Sequence, residues 1–150
     1  MSLYPYDLIS SEDRLSFEFY SDGPKGEIKK VVQYTKLKRP EIVYNLGFGD
    51  FNPETGEIDD LSVSNNADRD KVLQTVASTV PFFFGKYPDA QVTFEGSTDS
   101  RTRLYIREIS KHLEQLSDTI VIEGLTTNGW ESFEKNRRYI AISVIKKFVN

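Results

Sequence analysis

The stretch Ile42–Asp50, IVYNLGFGD in one-letter code, sets the pattern from which the fold can be predicted. Large hydrophobic residues at positions 42, 44, 46 and 48 alternate with smaller residues, which is the period of a strand with one buried face. The glycines at 47 and 49 have no side chains, so another backbone or element can approach this end of the other face closely. A turn over 52–56 follows and Ile58–Ser64 reads as a second strand, so we predict a β-hairpin.

Strand and helix patterns continue on both sides of this hairpin. Alternating or β-branched residues predict strands over 15–20 and 28–35 before it, and over 90–95, 119–124 and 138–146 after it. Helical spacing predicts two main helices, one after Asn66 and one after Ser100, and residues 127–131 have the composition of a turn. The order β-β-β-β-α-β-α-β-β predicts an α+β (mixed α/β) fold, with an antiparallel meander of four strands followed by two βαβ-type crossovers.

Composition excludes several classes of protein. The chain has 150 residues, no cysteine and a formal net charge of −4. The missing cysteines exclude a disulfide scaffold, a thiolate metal site and a cysteine nucleophile. The negative charge argues against bulk binding of nucleic acid, and no apolar run is long enough for a membrane span. We expect one cytoplasmic domain over 1–150 that needs no cofactor, with residues 1–10 as the segment most open to flexibility.

The first helix carries two expected local features. Asn65 and Asn66 have the side chains of an N-cap, with Asp68 and Asp70 at the positive end of the helix dipole. Pro81 interrupts the hydrophobic spacing, so we expect a kink near Ala77 or an end to the regular helix.

Connectivity predicts which chain segments meet at one edge of the sheet. If the strand ending at Ser64 and the strand ending at Glu95 are parallel, both helices begin at the same edge, which is where open sheets usually bind ligands. Asp50 would then lie at the opposite edge, far from Asp99.

Four stretches resemble a known family of small, mostly bacterial proteins classed only as a domain of unknown function. They are 44–50, 64–68 with 71–73 and 76–80, the most specific block Gly96–Tyr105 (Gly-Ser-Thr-x-x-Arg-Thr-Arg-Leu-Tyr), and 128–131. The resemblance runs from Glu41 to the C-terminus, and it departs from the family at Asp99, where a proline often follows Gly-Ser-Thr. The resemblance supports the architecture and implies no activity.

The start of the second helix is the predicted binding site. Hydroxyl groups, helix-start N–H groups and guanidinium groups suit a phosphate-bearing ligand, a nucleic-acid backbone or an acidic protein partner. The predicted anion-binding residues are Ser97, Thr98, Ser100, Arg101, Arg103 and Arg107, with Lys111 continuing the basic stripe and Asn65 and Asn66 on the same rim. Ordinary helix capping with solvated arginines would explain the same residues without a ligand.

Two further hypotheses come from the sequence. The first is a nuclease-like or other hydrolase with the element order of the ribonuclease-H-like fold, using Asp99 and Asp68 or Asp70 with a divalent metal. The strand Ile28–Tyr34 lacks the carboxylate that such chemistry needs, so we favour a non-enzymatic binding module and predict no metal ligands. The second is a homodimer, for which Phe82–Phe84 and the Tyr4, Tyr6 and Leu8 side chains are the candidate contacts.

Overall fold

The computed structural model describes residues 4–59, 66–95, 100–116, 118–134 and 136–147. Within them the chain forms one sheet with two helices, which confirms the predicted α+β fold class. The strands are β1 Ile9–Ser10, β2 Ser16–Gly23, β3 Gly26–Lys36, β4 Val43–Asn52, β5 Glu57–Asp59, β6 Gln91–Glu95, β7 Ile120–Thr126, β8 Gly129–Ser132 and β9 Ala141–Lys146; the helices are α1 Arg69–Lys86 and α2 Ser100–Glu114.

The described strands pair in the order β1-β2-β3-β4-β6-β9-β7-β8, with β5 attached to β4. Every pairing in this sheet is antiparallel except that of β4 with β6, in which Tyr44 lies opposite Val92. Helix α1 therefore lies on the chain path between two parallel neighbours, β4 and β6. Helix α2 connects β6 to β7, which is parallel to β6 with β9 between them.

One face of the sheet carries the core. Alternate side chains of β2 and β3 are buried on this face, because a sheet beneath a helical layer hides every second residue. In β6 and β9 successive residues are buried, over 92–94 and 141–144. The rings of Tyr34 and Tyr44 lie 4.3 Å and 5.1 Å from the ring of Phe83 in α1, and Phe48 lies 6.1 Å from Tyr105 in α2. Both described helices cover the same face, and no described helix covers the other. Over β2, β3 and β4 that second face carries partly or fully exposed side chains among the described residues, and we call it the open face.

Helix α1 runs through Pro81 to Lys86, so the expectation that the regular helix ends there is wrong. Pro81 is exposed, and the turns on either side are held on the core by Val76, Val80 and Phe83, each fully buried. Burial of this apolar side stabilises the helix more than the loss of one backbone hydrogen bond destabilises it.

Two other predictions need correction, and one short strand was not predicted. The expected turn over 127–131 is a two-residue hairpin loop at 127–128, and residues 129–132 form β8, which pairs with β7. The short strand β1 was not predicted, because two residues are too few to show a period. The predicted antiparallel hairpin of β4 and β5 is confirmed, but the strand that pairs in parallel with β6 is β4 and not β5.

No helix in the described ranges has both the length and the apolar character needed to cross a membrane.

Candidate functional site

The carboxyl ends of β4 and β6 define the edge of the sheet that holds the predicted site. Because these strands are parallel, their carboxyl ends point the same way, and α2 begins directly after this end of β6. The β2–β3 hairpin closes at the same edge, since Gly23 pairs with Gly26 and Lys30 with Asp50. Asp50 therefore lies at the edge where the helices begin, and its predicted place at the opposite edge is wrong. The error comes from assigning the parallel pairing to β5.

The two helices start at this common edge, but not side by side. Arg69 in the first turn of α1 forms an ion pair of 3.2 Å with Glu108, and Asp70 lies 3.1 Å from Nε2 of His112. Glu108 is eight residues beyond Ser100, the first residue of α2. At 1.5 Å per residue, the start of α2 extends about 12 Å further along the helix axis than the start of α1.

Asn66 is a structural residue, neither the N-cap of α1 nor part of an open rim. It is 1% exposed, and its side-chain oxygen accepts a hydrogen bond of 2.7 Å from the Lys25 backbone N–H. Its amide nitrogen donates to the Gly26 carbonyl at 2.8 Å and to the Ser21 hydroxyl at 3.2 Å. Asn66 therefore fastens the β2–β3 hairpin to the segment before α1. Asn65, the other predicted rim residue, lies outside the described residues.

Asp68 occupies the N-cap position of α1, but its side chain makes no capping hydrogen bond. Its carboxylate instead accepts hydrogen bonds of 2.5 Å from the hydroxyls of Tyr6 and Ser21. Desolvation and the bond to Asp68 raise the pKa of the Tyr6 hydroxyl, and the Lys71 ammonium lies 4.2 Å from the centre of the same ring. These contacts fix the N-terminal segment against the start of α1.

The carboxylates of the hydrolase hypothesis thus have separate structural partners. Asp68 binds two hydroxyls, whereas Asp70 contacts His112. In the described part of the chain, no group of three or more histidine, cysteine, aspartate or glutamate side chains is placed to hold a metal ion. Asp99, the third proposed ligand, lies outside the described residues.

A buried ion pair at this edge was missed by the sequence reading. Lys30 is 2% exposed, and its ammonium binds the carboxylate of Asp50. The signal was present, because Lys30 shares the even positions of β3 with Val32 and Tyr34, both buried in the core. A lysine in that register predicts a buried cation, which needs a paired carboxylate close by.

The predicted anion-binding residues divide into those that the structure describes and those that it does not. Ser97 and Thr98 lie outside the described residues, and the backbone of Ser100, Arg101 and Arg103 forms the first turn of α2. Arg107 and Lys111 are exposed on α2, one helical turn apart, and neither forms an ion pair with another described residue.

Most of the side chains predicted to form dimer contacts pack inside the same chain. Phe83 and Phe84 are core residues, and Tyr6 and Leu8 pack against that core. Phe82 is 49% exposed, and the guanidinium of Arg14 lies 5.5 Å from the centre of its ring. Tyr4 is exposed.

The protein is therefore of the α+β class, with both described helices on one side of a mixed sheet. The first turn of α2 contains Arg101 and Arg103. A family model matches residues 2–147, and the chain belongs to that family, which is described as a family of unknown function, DUF6934. The match confirms the resemblance to a domain of unknown function. No curated protein and no solved structure matches the chain.

Proposed function

We propose that this protein is a non-enzymatic binding module of the cytoplasm that takes a phosphate-bearing ligand on the basic surface of α2. This surface consists of the helix start at Ser100, Arg101 and Arg103 together with the exposed Arg107 and Lys111. Ser97 and Thr98, which precede α2 in the sequence, are the remaining candidate ligands. The observation that carries the proposal is the pair Arg107 and Lys111, exposed and free of ion pairs with other described residues.

The chemistry of the surface suits a phosphate group. A guanidinium offers several N–H donors in one plane, which match the oxygens of a phosphate, and an ammonium adds a mobile point charge. Arg103, Arg107 and Lys111 recur every four residues and so follow one side of the helix. The N–H groups at the start of α2 also favour negative charge, and the basic residues extend from this end of the helix to Lys111 in its last turn.

The hydrolase alternative has weaker support. Its metal would need several carboxylates around one point, whereas Asp68 and Asp70 contact different partners on different elements. Binding without chemistry needs no such convergence of carboxylates.

The test is a calorimetric titration of the full chain with pyrophosphate, as the simplest phosphate-bearing probe. We expect binding that weakens about tenfold or more in Arg107→Ala/Lys111→Ala and in Arg101→Ala/Arg103→Ala, because each pair removes two charge-assisted contacts. Lys38→Ala/Arg39→Ala is the matched control, since these exposed residues carry the same charge at the opposite edge of the sheet.

Three results would contradict the proposal. The first is that pyrophosphate does not bind the wild-type chain. The second is that the control variant weakens pyrophosphate binding as much as the variants of α2 do. Binding of an acidic peptide such as poly-glutamate in place of pyrophosphate would assign the surface to a protein partner.

We also predict that the protein forms a homodimer. Light scattering at high protein concentration is expected to give the mass of a dimer, and a monomer mass would contradict it.

A further inference from the structure

The open face of the sheet carries a cleft over β2, β3, β4 and β5. Its volume is about 660 Å³, within the range of roughly 300–1,000 Å³ typical of small-molecule sites. Side chains alternate between the two faces of a strand, so the residues of β3 that point away from the helices line this cleft. They include Lys29, Val31 and Gln33.

Gly47 makes the cleft deeper, because it has no side chain to fill the space above the sheet. A methyl group added at Gly47 would have the Gln33 carbonyl oxygen at 3.9 Å and the Asn45 amide nitrogen at 4.0 Å as its nearest atoms, which are ordinary contacts. The space above Gly47 is therefore open, and no close backbone packing requires a glycine at this position. A larger side chain there would fill the cleft without displacing the sheet.

One end of the cleft offers unpaired polar groups. Gln33, Thr35 and Asn45 line it, with Thr35 directly opposite Asn45 and Gln33 opposite Gly47. The side chains of these three residues make no hydrogen bond with any other described residue. Amides and hydroxyls both donate and accept hydrogen bonds, and this combination matches a ligand rich in hydroxyl groups.

The other end of the cleft carries two apolar side chains. Phe51 and Ile58 are a cross-strand pair on β4 and β5, and both line the cleft. The Lys29 ammonium lies 4.3 Å from the centre of the Phe51 ring and also binds Glu18 at 2.8 Å. Phe51 therefore offers the cleft an aromatic surface on which the C–H groups of a ligand can pack.

The charges of the cleft select against anions. Among the described residues, the charged side chains that line it are Glu18, Lys29 and Glu57, and Glu18 already neutralises Lys29. Two carboxylates and one ammonium group leave an excess of negative charge, in a chain whose net charge is also negative. A phosphate-bearing ligand would be repelled here, so the cleft and the basic surface of α2 differ in the ligands that they can take.

We propose that the open-face cleft binds a neutral carbohydrate, whose hydroxyl groups pair with Gln33, Thr35 and Asn45 while the C–H face of a sugar ring packs on Phe51 and Ile58. The glycine at position 47 gives the ring access to the sheet backbone. This inference does not depend on the proposed phosphate site, which lies on the other side of the sheet.

The test is a titration of the ¹⁵N-labelled full chain with cellobiose, maltose and N,N′-diacetylchitobiose, followed by amide chemical shifts. At least one saccharide is expected to shift the amides of Gln33, Asn45, Gly47 and Phe51. Gly47→Leu should weaken this binding about tenfold or more by filling the cleft, while Gly85→Leu should leave it unchanged. Gly85 is exposed near the end of α1, where nothing lies within 4 Å of an added methyl group.

A second variant separates loss of binding from loss of folding. Gln33 is exposed, so Gln33→Leu should keep the fold and still weaken the saccharide about fivefold to tenfold by removing hydrogen bonds. Arg107→Ala/Lys111→Ala should bind the saccharide as the wild type does, which distinguishes the two sites.

The proposal is overturned if none of the three saccharides shifts the cleft amides at millimolar concentration. It is also overturned if the shifts persist in Gly47→Leu and Gln33→Leu, or if adenosine or a neutral tripeptide shifts these amides while the saccharides do not.

Discussion

At the scale of single residues, polar side chains at the helix-start edge are mostly committed to internal contacts. Asn66 binds the β2–β3 hairpin, Asp68 binds Tyr6 and Ser21, and Lys30 binds Asp50. Buried polar groups that lose a partner are costly, since the partner left behind keeps its desolvation penalty. These residues therefore stabilise the edge.

Asn66 gives the sharpest prediction at this scale. Asn66→Ala removes three hydrogen bonds from a site that is 1% exposed, so we expect the free energy of unfolding to fall by about 2–4 kcal/mol. Urea denaturation measures the change. Asn66→Asp keeps the acceptor for the Lys25 N–H but loses the amide donors, and it should also destabilise the fold. Wild-type stability in Asn66→Ala would contradict this role.

At the scale of elements, the strands and helices could largely be predicted from periodicity, whereas their pairing could not. The alternation along β2 and β4 and the helical spacing of α1 are local signals. Which of β4 and β5 lies beside β6 depends on contacts between residues about fifty positions apart, such as Tyr44 and Val92, and no local pattern encodes that choice. The cleft was missed for the same reason, because β3, β4 and β5 line it together.

Helix α1 gives the prediction that belongs to this scale. Pro81 lies inside the helix on its exposed side and supplies no backbone N–H. Pro81→Ala should restore one backbone hydrogen bond without changing the core. We expect this to raise the free energy of unfolding by about 1–3 kcal/mol. The rise is reduced by the stability that the proline contributes through restricting the unfolded chain. Thermal unfolding measures it, with the exposed Gly85→Ala as a control for helix propensity at another position. A lower melting temperature for Pro81→Ala would show that the surrounding turns are fitted to the proline.

At the scale of the whole molecule, the helices on one face leave two accessible surfaces of opposite character. Arg107 and Lys111 of α2 are exposed, and the neutral-to-acidic cleft lies on the open face. Charge separates their ligands, so binding at one should not compete with binding at the other.

Alkaline pH tests the core as a whole. Burial raises the pKa of the Tyr34 hydroxyl above its ordinary value of 10.0, and the pKa values of Tyr44 and Tyr139 are raised by desolvation as well. Above pH 10.0 the unfolded chain loses these protons before the folded chain does. Stability is therefore fully present below that pH and should fall as the pH rises above it.

Urea denaturation from about pH 9 to about pH 11 measures this dependence. Tyr34→Phe should reduce the slope, while Tyr20→Phe, which removes the same atom from an exposed ring, serves as the control. A slope unchanged in Tyr34→Phe would contradict the contribution of this buried hydroxyl.

The most direct measurement of the central claim is a map of amide chemical shifts in the ¹⁵N-labelled chain during a titration with pyrophosphate. The account predicts shifts at the start of α2 and around Arg107 and Lys111, with Gln33 and Gly47 on the open face unaffected. Shifts confined to the open face, or none at all along α2, would contradict it.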